Sequence, residues 1–292
     1  MNRDSFSKLS KPATSILACF LLVIFAAELF FSIRQQSQTV DESVHIFSGY
    51  QYWKHRDFGA NPEHPPLVKL IATLPLLNLN LKSSEILSGP TKLTHTEKAF
   101  PFLYNNLVPG QTILSRARLA CILFPLILAV LLFLCCYEMF GQGVALLGLV
   151  LLIFEPNVLA NGPLVTTDLA ASCFIFASIY SFYRYMKSPG WWRLCVCGLA
   201  VALAFSSKHS SLILVPILVL LAASELLFCR RAESSSLRKQ TPRLAAALAF
   251  TFYWIHGGSK NKEVDEWLEK NPEKVSAFLN WPKQYQWPQK KG

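Results

Sequence analysis

Long apolar runs dominate the chain and alternate with short polar segments. The first run, residues 14–33, is about as long as a helix needs to be to cross the ~30 Å hydrocarbon core of a bilayer. It is longer than the apolar part of a signal peptide, so we interpret it as an uncleaved transmembrane helix. Six more apolar runs bring the candidate spans to seven: residues 112–137, 142–160, 164–186, 192–206, 210–229 and 243–256.

Two polar intervals divide this pattern. Residues 35–111 form a long excursion outside the membrane, and the apolar run 67–79 within it is too short to span, which predicts a helix at the membrane surface. Residues 257–292 form a hydrophilic tail. We therefore predict an all-α, polytopic membrane domain over residues 1–256, with juxtamembrane helices in the first outer loop, followed by the tail.

The composition agrees with this class of protein. Only 16% of the residues are charged, against about 25% in soluble domains, and the net charge is +10. No nucleic-acid-binding motif accompanies the basic residues, so we assign them to cytoplasmic loops and lipid headgroups and expect no nucleic-acid partner. All eight cysteines lie within apolar runs, which is typical of small buried side chains rather than disulfides or zinc ligands.

The basic residues also predict the orientation. With the N-terminus in the cytoplasm, the cytoplasmic loops hold Arg184, Lys187 and Arg193 and the basic cluster within residues 230–243, as the positive-inside rule requires. This orientation places the 35–111 loop on the opposite face, together with residues 155–168 and 206–210. Three polar patches are thus expected on one side of the membrane.

The first patch begins with the spacing of a helix capping box, Thr39 with Glu42 three residues later. One interpretation makes Asp41 and Glu42 ordinary first-turn acids at a helix N-terminus. The other makes them catalytic, because Asp41, His45 and Tyr52 share one helical face.

The same patch continues with aromatic residues and a proline-rich turn. Tyr52 and Trp53 offer a surface for a sugar ring, or alternatively belong to an aromatic belt at the membrane interface. Residues 61–66, Asn-Pro-Glu-His-Pro-Pro, predict a rigid extended turn. That turn would hold Glu63 and His64 in place ahead of the surface helix.

The other two patches supply a second acid and a cation. Asp168 lies near the outer end of a candidate span, where a carboxylate is either functional or a helix N-terminal acid. Lys208 and His209 lie among serines, and an outward lysine suits a phosphate or, alternatively, a lipid headgroup. Arg116 and Arg118, at the outer end of the second candidate span, are further phosphate candidates.

Taken together, these residues resemble the GT-C glycosyltransferases over roughly residues 14–256. The resemblance rests on Asp41-Glu42, on Glu63-His64-Pro65-Pro66-Leu67, on Thr167-Asp168 and on Lys208. It points in particular to the protein O-mannosyltransferases and the bacterial lipid A aminoarabinose transferases. Those enzymes share a seven-helix module with juxtamembrane helices in the first outer loop. They move a sugar from a polyprenyl-phosphate carrier to an acceptor outside the cytoplasm.

The resemblance implies a mechanism and a site. Asp41 would act as general base on an acceptor hydroxyl, which attacks the anomeric carbon with inversion, with Glu42 and Asp168 as the other catalytic acids. Lys208, with Arg116 or Arg118, would neutralise the leaving lipid phosphate. The substrate-binding residues implied are His45, Tyr52, Trp53, Glu63, His64, Lys208, His209, Arg116 and Arg118.

The expected partners are a polyprenyl-phosphate sugar, the bilayer, and a protein, lipid or glycan acceptor. No cofactor is expected; some related enzymes bind a divalent ion, for which Glu63, His64 and Asp168 are the candidate ligands, although their spacing does not establish a site. The expected location is the bacterial inner (plasma) membrane, with the site facing the periplasm or exterior.

An alternative class is a non-catalytic or truncated membrane module, either an accessory subunit or a transporter-like bundle, because enzymes of this type are usually longer. A transporter would place its charges along a pathway through the middle of the bilayer. Here the charges gather at one face, which favours the enzyme.

Overall fold

A computed structural model of the chain describes residues 10–82 and 95–229, with the backbone alone for residues 95–97 and 225–229. Across these ranges the regular secondary structure is helical, and apolar helices that could span a membrane are present, which confirms the all-α membrane fold class. The last candidate span, the basic cluster at 230–243 and the tail lie outside the described residues.

The structure contains helices of very different length. In chain order they are α1 (Lys11–Gln35), α2 (Val40–His55), α3 (Leu67–Thr73), α4 (His95–Tyr104), α5 (Gly110–Cys121), α6 (Leu123–Phe140), α7 (Gln142–Ile153), α8 (Pro156–Asn161), α9 (Asp168–Lys187), α10 (Trp191–Ser207) and α11 (Leu214–Cys229), with 3₁₀ turns at Phe58–Ala60, Leu74–Leu76 and His209–Ile213.

Two helical stretches in the described ranges are long and apolar enough to cross a membrane. They are α1, with 25 residues, and the α5–α6 stretch Gly110–Phe140, with 31 residues. Pro125 accounts for the break between α5 and α6, because it has no N–H to bond the carbonyl of Cys121. The shorter apolar helices are Leu67–Leu76, Gln142–Ile153, Trp191–Ser207 and His209–Ser224.

The candidate span at residues 142–160 is not one continuous helix. It divides into α7, which ends at Ile153, and α8, where the Glu155 side chain caps the N-terminus by accepting the Val158 N–H at 2.6 Å. Pro156 favours the break, because the residue before a proline avoids the helical conformation. The 12 residues of α7 rise only about 18 Å, less than the thickness of a bilayer core.

The described part of the 35–111 segment contains helices that pack together: α2 and α3, which the sequence predicts, and α4, which lies where the sequence indicates a loop. α2 packs against α3 and α4, and α3 packs against α5. Eleven of the sixteen residues of α2 are buried, which leaves it with little free surface. Gly49 permits its close approach to α3, because a Cβ there would lie 2.3 Å from the carbonyl oxygen of Lys69. α2 is therefore fixed in place by its neighbours.

Candidate active site

The capping box at the start of α2 forms as the sequence predicts. The carboxylate of Glu42 accepts the backbone N–H of Thr39 at 2.9 Å. Because successive residues of a helix point about 100° apart, the neighbouring acids separate. Glu42 is fully buried, whereas Asp41 is exposed.

Glu42 forms a buried ion pair with Arg118 of α5. The Arg118 Nε and Nη2 atoms donate to the two carboxylate oxygens at 2.8 and 2.7 Å, and both side chains are 0% exposed. The Val165 backbone N–H adds a bond at 3.1 Å. Burial alone would raise the pKa of the Glu42 carboxyl, but the bonds from Arg118, Thr39 and Val165 hold that pKa below its ordinary value.

This pairing shows what two of the residues singled out from the sequence contact in the fold. Arg118 donates its remaining N–H groups to the carbonyls of Ile33, Gln36 and Ser37 at 2.8–3.0 Å, so all five of its donors are occupied and none is left for a carrier phosphate. Glu42 has both oxygens occupied and no exposed surface, and its bonds connect α2 to α5 and to Val165.

Two of the predicted site residues are histidines whose rings contact each other. The rings of His45 and His64 lie edge to face with centroids 5.2 Å apart. His45 donates from Nδ1 to the Val165 carbonyl at 2.8 Å, which leaves its Nε2 as an acceptor. Burial lowers the pKa of both imidazoles, and the positive charge of Lys69 lowers it further.

Tyr52 and Lys69 form a buried polar cluster beneath the proline-rich turn. The Lys69 ammonium donates to the carbonyl of Asn61 at 2.6 Å and to the Tyr52 hydroxyl at 3.0 Å. The Tyr52 hydroxyl itself donates to the Asn61 carbonyl at 3.1 Å. Lys69 is not among the site residues predicted from the sequence, where it stands as a lone lysine inside the apolar run 67–79.

A cleft of about 390 Å³ opens beside this cluster. It brings together Tyr52, His64 and His209, three predicted site residues from different parts of the chain. The ring of Phe58 stacks on that of Tyr52 with centroids 4.8 Å apart, and Phe205 also lines the cleft. The cleft therefore combines aromatic surface with imidazole groups.

The other two polar patches also meet. Lys208 forms an ion pair and hydrogen bond with Asp168 at the start of α9, and these side chains are 32% and 60% exposed. Thr167 does not cap α9 with its side chain. The positive charge of Lys208 acts on the pKa of His64, and the negative charge of Asp41 acts on the pKa of both His45 and His64. These groups share one electrostatic environment.

Trp53, Arg116 and Glu63, three further residues predicted to belong to the site, also lie outside the cleft wall. Trp53 is 44% exposed and its Nε1 donates to the Leu70 carbonyl at 3.0 Å, which ties α2 to α3. Arg116 donates to the side-chain oxygen of Asn78 at 2.9 Å and lines a separate polar groove of about 680 Å³. Glu63 is exposed at the tip of the proline-rich turn.

The structure does not gather a metal-ligand set from the candidates of the sequence analysis. Within residues 10–82 and 95–229, His, Cys, Asp and Glu side chains form no group of three or more that could hold a metal ion. Lys208 occupies the carboxylate of Asp168 instead. Glu63 and His64 are neighbours in the turn and belong to no such group of three.

Comparison with known proteins gives a family for this chain. No curated protein and no solved structure matches it. The family model for dolichyl-phosphate-mannose-protein mannosyltransferases matches residues 15–257. Proteins of that family are integral membrane glycosyltransferases that take the sugar from a polyprenyl-phosphate donor. Because the match covers most of the 292 residues, the chain belongs to the dolichyl-phosphate-mannose-protein mannosyltransferase family.

Proposed function

We propose that this chain transfers a sugar, with inversion, from a polyprenyl-phosphate donor to an acceptor hydroxyl on the non-cytoplasmic face of the membrane. Membership of the family supports glycosyl transfer from a lipid-linked donor. The observation that carries the choice of base is the separation of the two adjacent acids. Glu42 is buried and fully bonded, whereas Asp41 is exposed and carries no hydrogen bond or ion pair to the described residues.

The proposed step needs only one proton acceptor and one cation. Asp41 takes the proton of the acceptor hydroxyl while that oxygen forms a bond to the anomeric carbon. The bond from the anomeric carbon to the phosphate oxygen breaks, and its electron pair stays on the phosphate. A phosphate ester is a stable anion, so the leaving group requires charge neutralisation rather than protonation.

Lys208 is the cation that we assign to the leaving phosphate. Its ammonium is partly exposed and is held by Asp168, which keeps it oriented without burying it. Arg118 is excluded because its donors are occupied, and Arg116 lines a different groove. In this proposal Asp168 positions Lys208.

The cleft is the part of the site that we assign to the sugar. Stacked aromatic rings and imidazoles suit a sugar, since the apolar ring face packs on aromatic carbon and the hydroxyls find hydrogen-bond partners. Tyr52 and Phe58 provide the aromatic surface, and His64 and His209 provide the imidazoles. This assignment keeps four residues together for one ligand.

The test is sugar transfer by the purified full-length chain in detergent. The family description makes polyprenyl-phosphate mannose the first donor to try, with a serine- and threonine-containing peptide as the first acceptor. Asp41→Asn should reduce transfer at least ~100-fold, within the range of general-base contributions, and leave the melting temperature unchanged. Full activity in Asp41→Asn would exclude it as the base.

Asp57→Asn provides the matched control. Asp57 lies in the same outer loop, is exposed, and accepts the Gly59 N–H with an oxygen that asparagine retains. The control removes the same charge as Asp41→Asn and should keep wild-type activity.

The orientation needs its own measurement: a cysteine in place of exposed Lys54 should react with a membrane-impermeant maleimide added outside intact cells. Labelling only after lysis would place the loop in the cytoplasm and contradict the proposal.

A further inference from the structure

Lys69 is a fully buried lysine that the proposed chemistry does not use. It lies in α3 between apolar neighbours, and none of its surface is exposed. Lysine is almost never fully buried unless it is paired, because removing an ammonium from water is costly. Its burial beside the cleft therefore needs a reason.

The contacts of Lys69 lie around the proline-rich turn. Its Nζ donates to the carbonyl and the side-chain oxygen of Asn61 at 2.6 and 2.8 Å, and to the His64 carbonyl at 2.7 Å. The Tyr52 hydroxyl accepts at 3.0 Å. An ammonium has three N–H groups and here meets four oxygens, so it keeps no donor for a substrate.

The turn has few backbone donors of its own. Pro62, Pro65 and Pro66 have no N–H, so only three of its six residues can donate from the backbone. The carbonyl groups of Asn61 and His64 need hydrogen-bond donors. Lys69 donates to both of them.

Lys69 is itself fixed with respect to α2. Gly49 brings the α2 backbone so close that a Cβ there would lie 2.3 Å from the Lys69 carbonyl oxygen and 2.8 Å from the Thr73 hydroxyl. α2 carries Tyr52, a wall residue of the cleft. The ammonium thus connects the turn to the helix that bears the rest of the site.

We propose that Lys69 is a positioning residue, whose ammonium holds the Asn61–His64 turn so that the His64 imidazole stays at the cleft and faces the sugar. The proposal rests on the proposed function. It adds a residue to the active site that acts through the turn rather than by touching the substrate.

The pKa of His64 provides a measurement besides activity, because the charge of Lys69 affects it. Burial lowers the pKa of Lys69 to about 7, and the Glu63 carboxylate opposes that decrease. The Lys69 charge in turn lowers the pKa of both His45 and His64. Removing that charge, and loosening the turn around His64, should both raise the pKa of His64.

The experiment compares Lys69→Met with wild type in detergent. Methionine keeps much of the apolar length and removes the ammonium, while Lys54→Met is the matched control because Lys54 is an exposed lysine in the same outer loop. The pKa of His64 is measured by NMR of ¹³C-histidine-labelled protein, assigned with His64→Gln. We expect the His64 pKa to rise in Lys69→Met and to stay unchanged in Lys54→Met.

Kinetics test the positioning role. Per molecule of folded protein, kcat should fall ~10- to 100-fold in Lys69→Met with little change in KM for the donor, since a misplaced catalytic geometry costs rate on that order. A structural role alone would lower the yield and melting temperature and leave kcat per folded molecule unchanged. That outcome would overturn the proposal.

The two proposals fail in distinguishable ways. An inactive wild type contradicts the proposed function, whereas an active wild type with an equally active Lys69→Met contradicts only the positioning role. If Lys69→Met does not fold, Asn61→Ala removes one of the four acceptors and leaves the lysine in place. It should change kcat and the His64 pKa in the same directions by smaller amounts, and unchanged values would overturn the proposal.

Discussion

Two ion pairs in the described part of the chain lie near the candidate active site, and they differ in burial and in the number of hydrogen bonds that each side chain makes. Glu42 and Arg118 are fully buried and joined through both carboxylate oxygens, with backbone groups saturating the rest of each side chain. Asp168 and Lys208 are 60% and 32% exposed and joined through one oxygen. One pair is closed to any ligand and the other is open.

The charged residues of this site differ in how many of their hydrogen-bonding groups are still unoccupied. All these residues are expected on one face of the membrane, and charge alone would assign any of them to the reaction. Hydrogen-bond saturation separates them, because a group whose donors and acceptors are all occupied has nothing to offer a substrate. By that criterion Asp41 and Lys208 remain available, whereas Glu42 and Arg118 do not.

The largest effect is expected from breaking the buried pair. Arg118→Met leaves the Glu42 carboxylate buried without its partner and removes donors from three backbone carbonyls. The free energy of unfolding should fall by about 3–5 kcal/mol, the range for removing one partner of a buried ion pair. The measurement is thermal unfolding in detergent followed by tryptophan fluorescence.

A double variant checks the cause of that loss. Glu42→Gln combined with Arg118→Met removes the stranded charge and should recover part of the stability that Arg118→Met loses. If Arg118→Met unfolds at the wild-type temperature, the buried pair does not stabilise the fold.

The open pair should respond in the opposite manner. Lys208→Gln should lower kcat for sugar transfer by about 100-fold, equivalent to about 2.7 kcal/mol of transition-state stabilisation, because the leaving phosphate loses its cation. Its effect on the free energy of unfolding should be only about 0–1 kcal/mol, as for other exposed ion pairs. Parallel kinetics and thermal unfolding measure the two effects, with Lys54→Gln as the control for loss of a positive charge. A stable, fully active Lys208→Gln would remove Lys208 from the proposed site.

The smallest stability effect among the core variants is expected at Gly49. Gly49→Ala places a methyl group against the Lys69 backbone, so α2 must shift relative to α3, at a cost of about 1–3 kcal/mol. Because α2 bears both Glu42 and Tyr52, the shift should reduce stability and transfer together. Thermal unfolding and transfer assays on the same preparation test this; loss of only one property would show that the buried pair and the cleft are independent.

The sequence correctly predicts those features of the site that depend on residues close together in the chain. The spacing of Thr39 and Glu42 predicts the capping box that forms. The apolar run 67–79 predicts the helix α3. The sequence does not predict α4, or the break at residue 154, where Glu155 and Pro156 start a new helix. The prediction that Tyr52, His64 and His209 belong to one site agrees with the cleft that they line, although their substrate roles stay predictions.

The residues that sequence reasoning assigned differently or missed depend on distant contacts. Arg118 meets Glu42 from 76 positions away, and Val165 meets both Glu42 and His45 from more than 100 positions away. No pattern along the chain reveals such partners. Lys69 looks like an interruption of an apolar run until its neighbours at Tyr52, Asn61 and His64 are seen.

The sequence by itself determined the class of the protein, because the length and apolar character of its helices and the positions of its caps and prolines depend on near neighbours. It also determined which polar segments could carry chemistry. Only the tertiary structure decided which of those charged groups are buried with all their hydrogen bonds made, and which are exposed with groups still unoccupied. The physical reason is that burial and hydrogen-bond saturation are properties of a residue's surroundings in space, and those surroundings come from helices far apart in the chain.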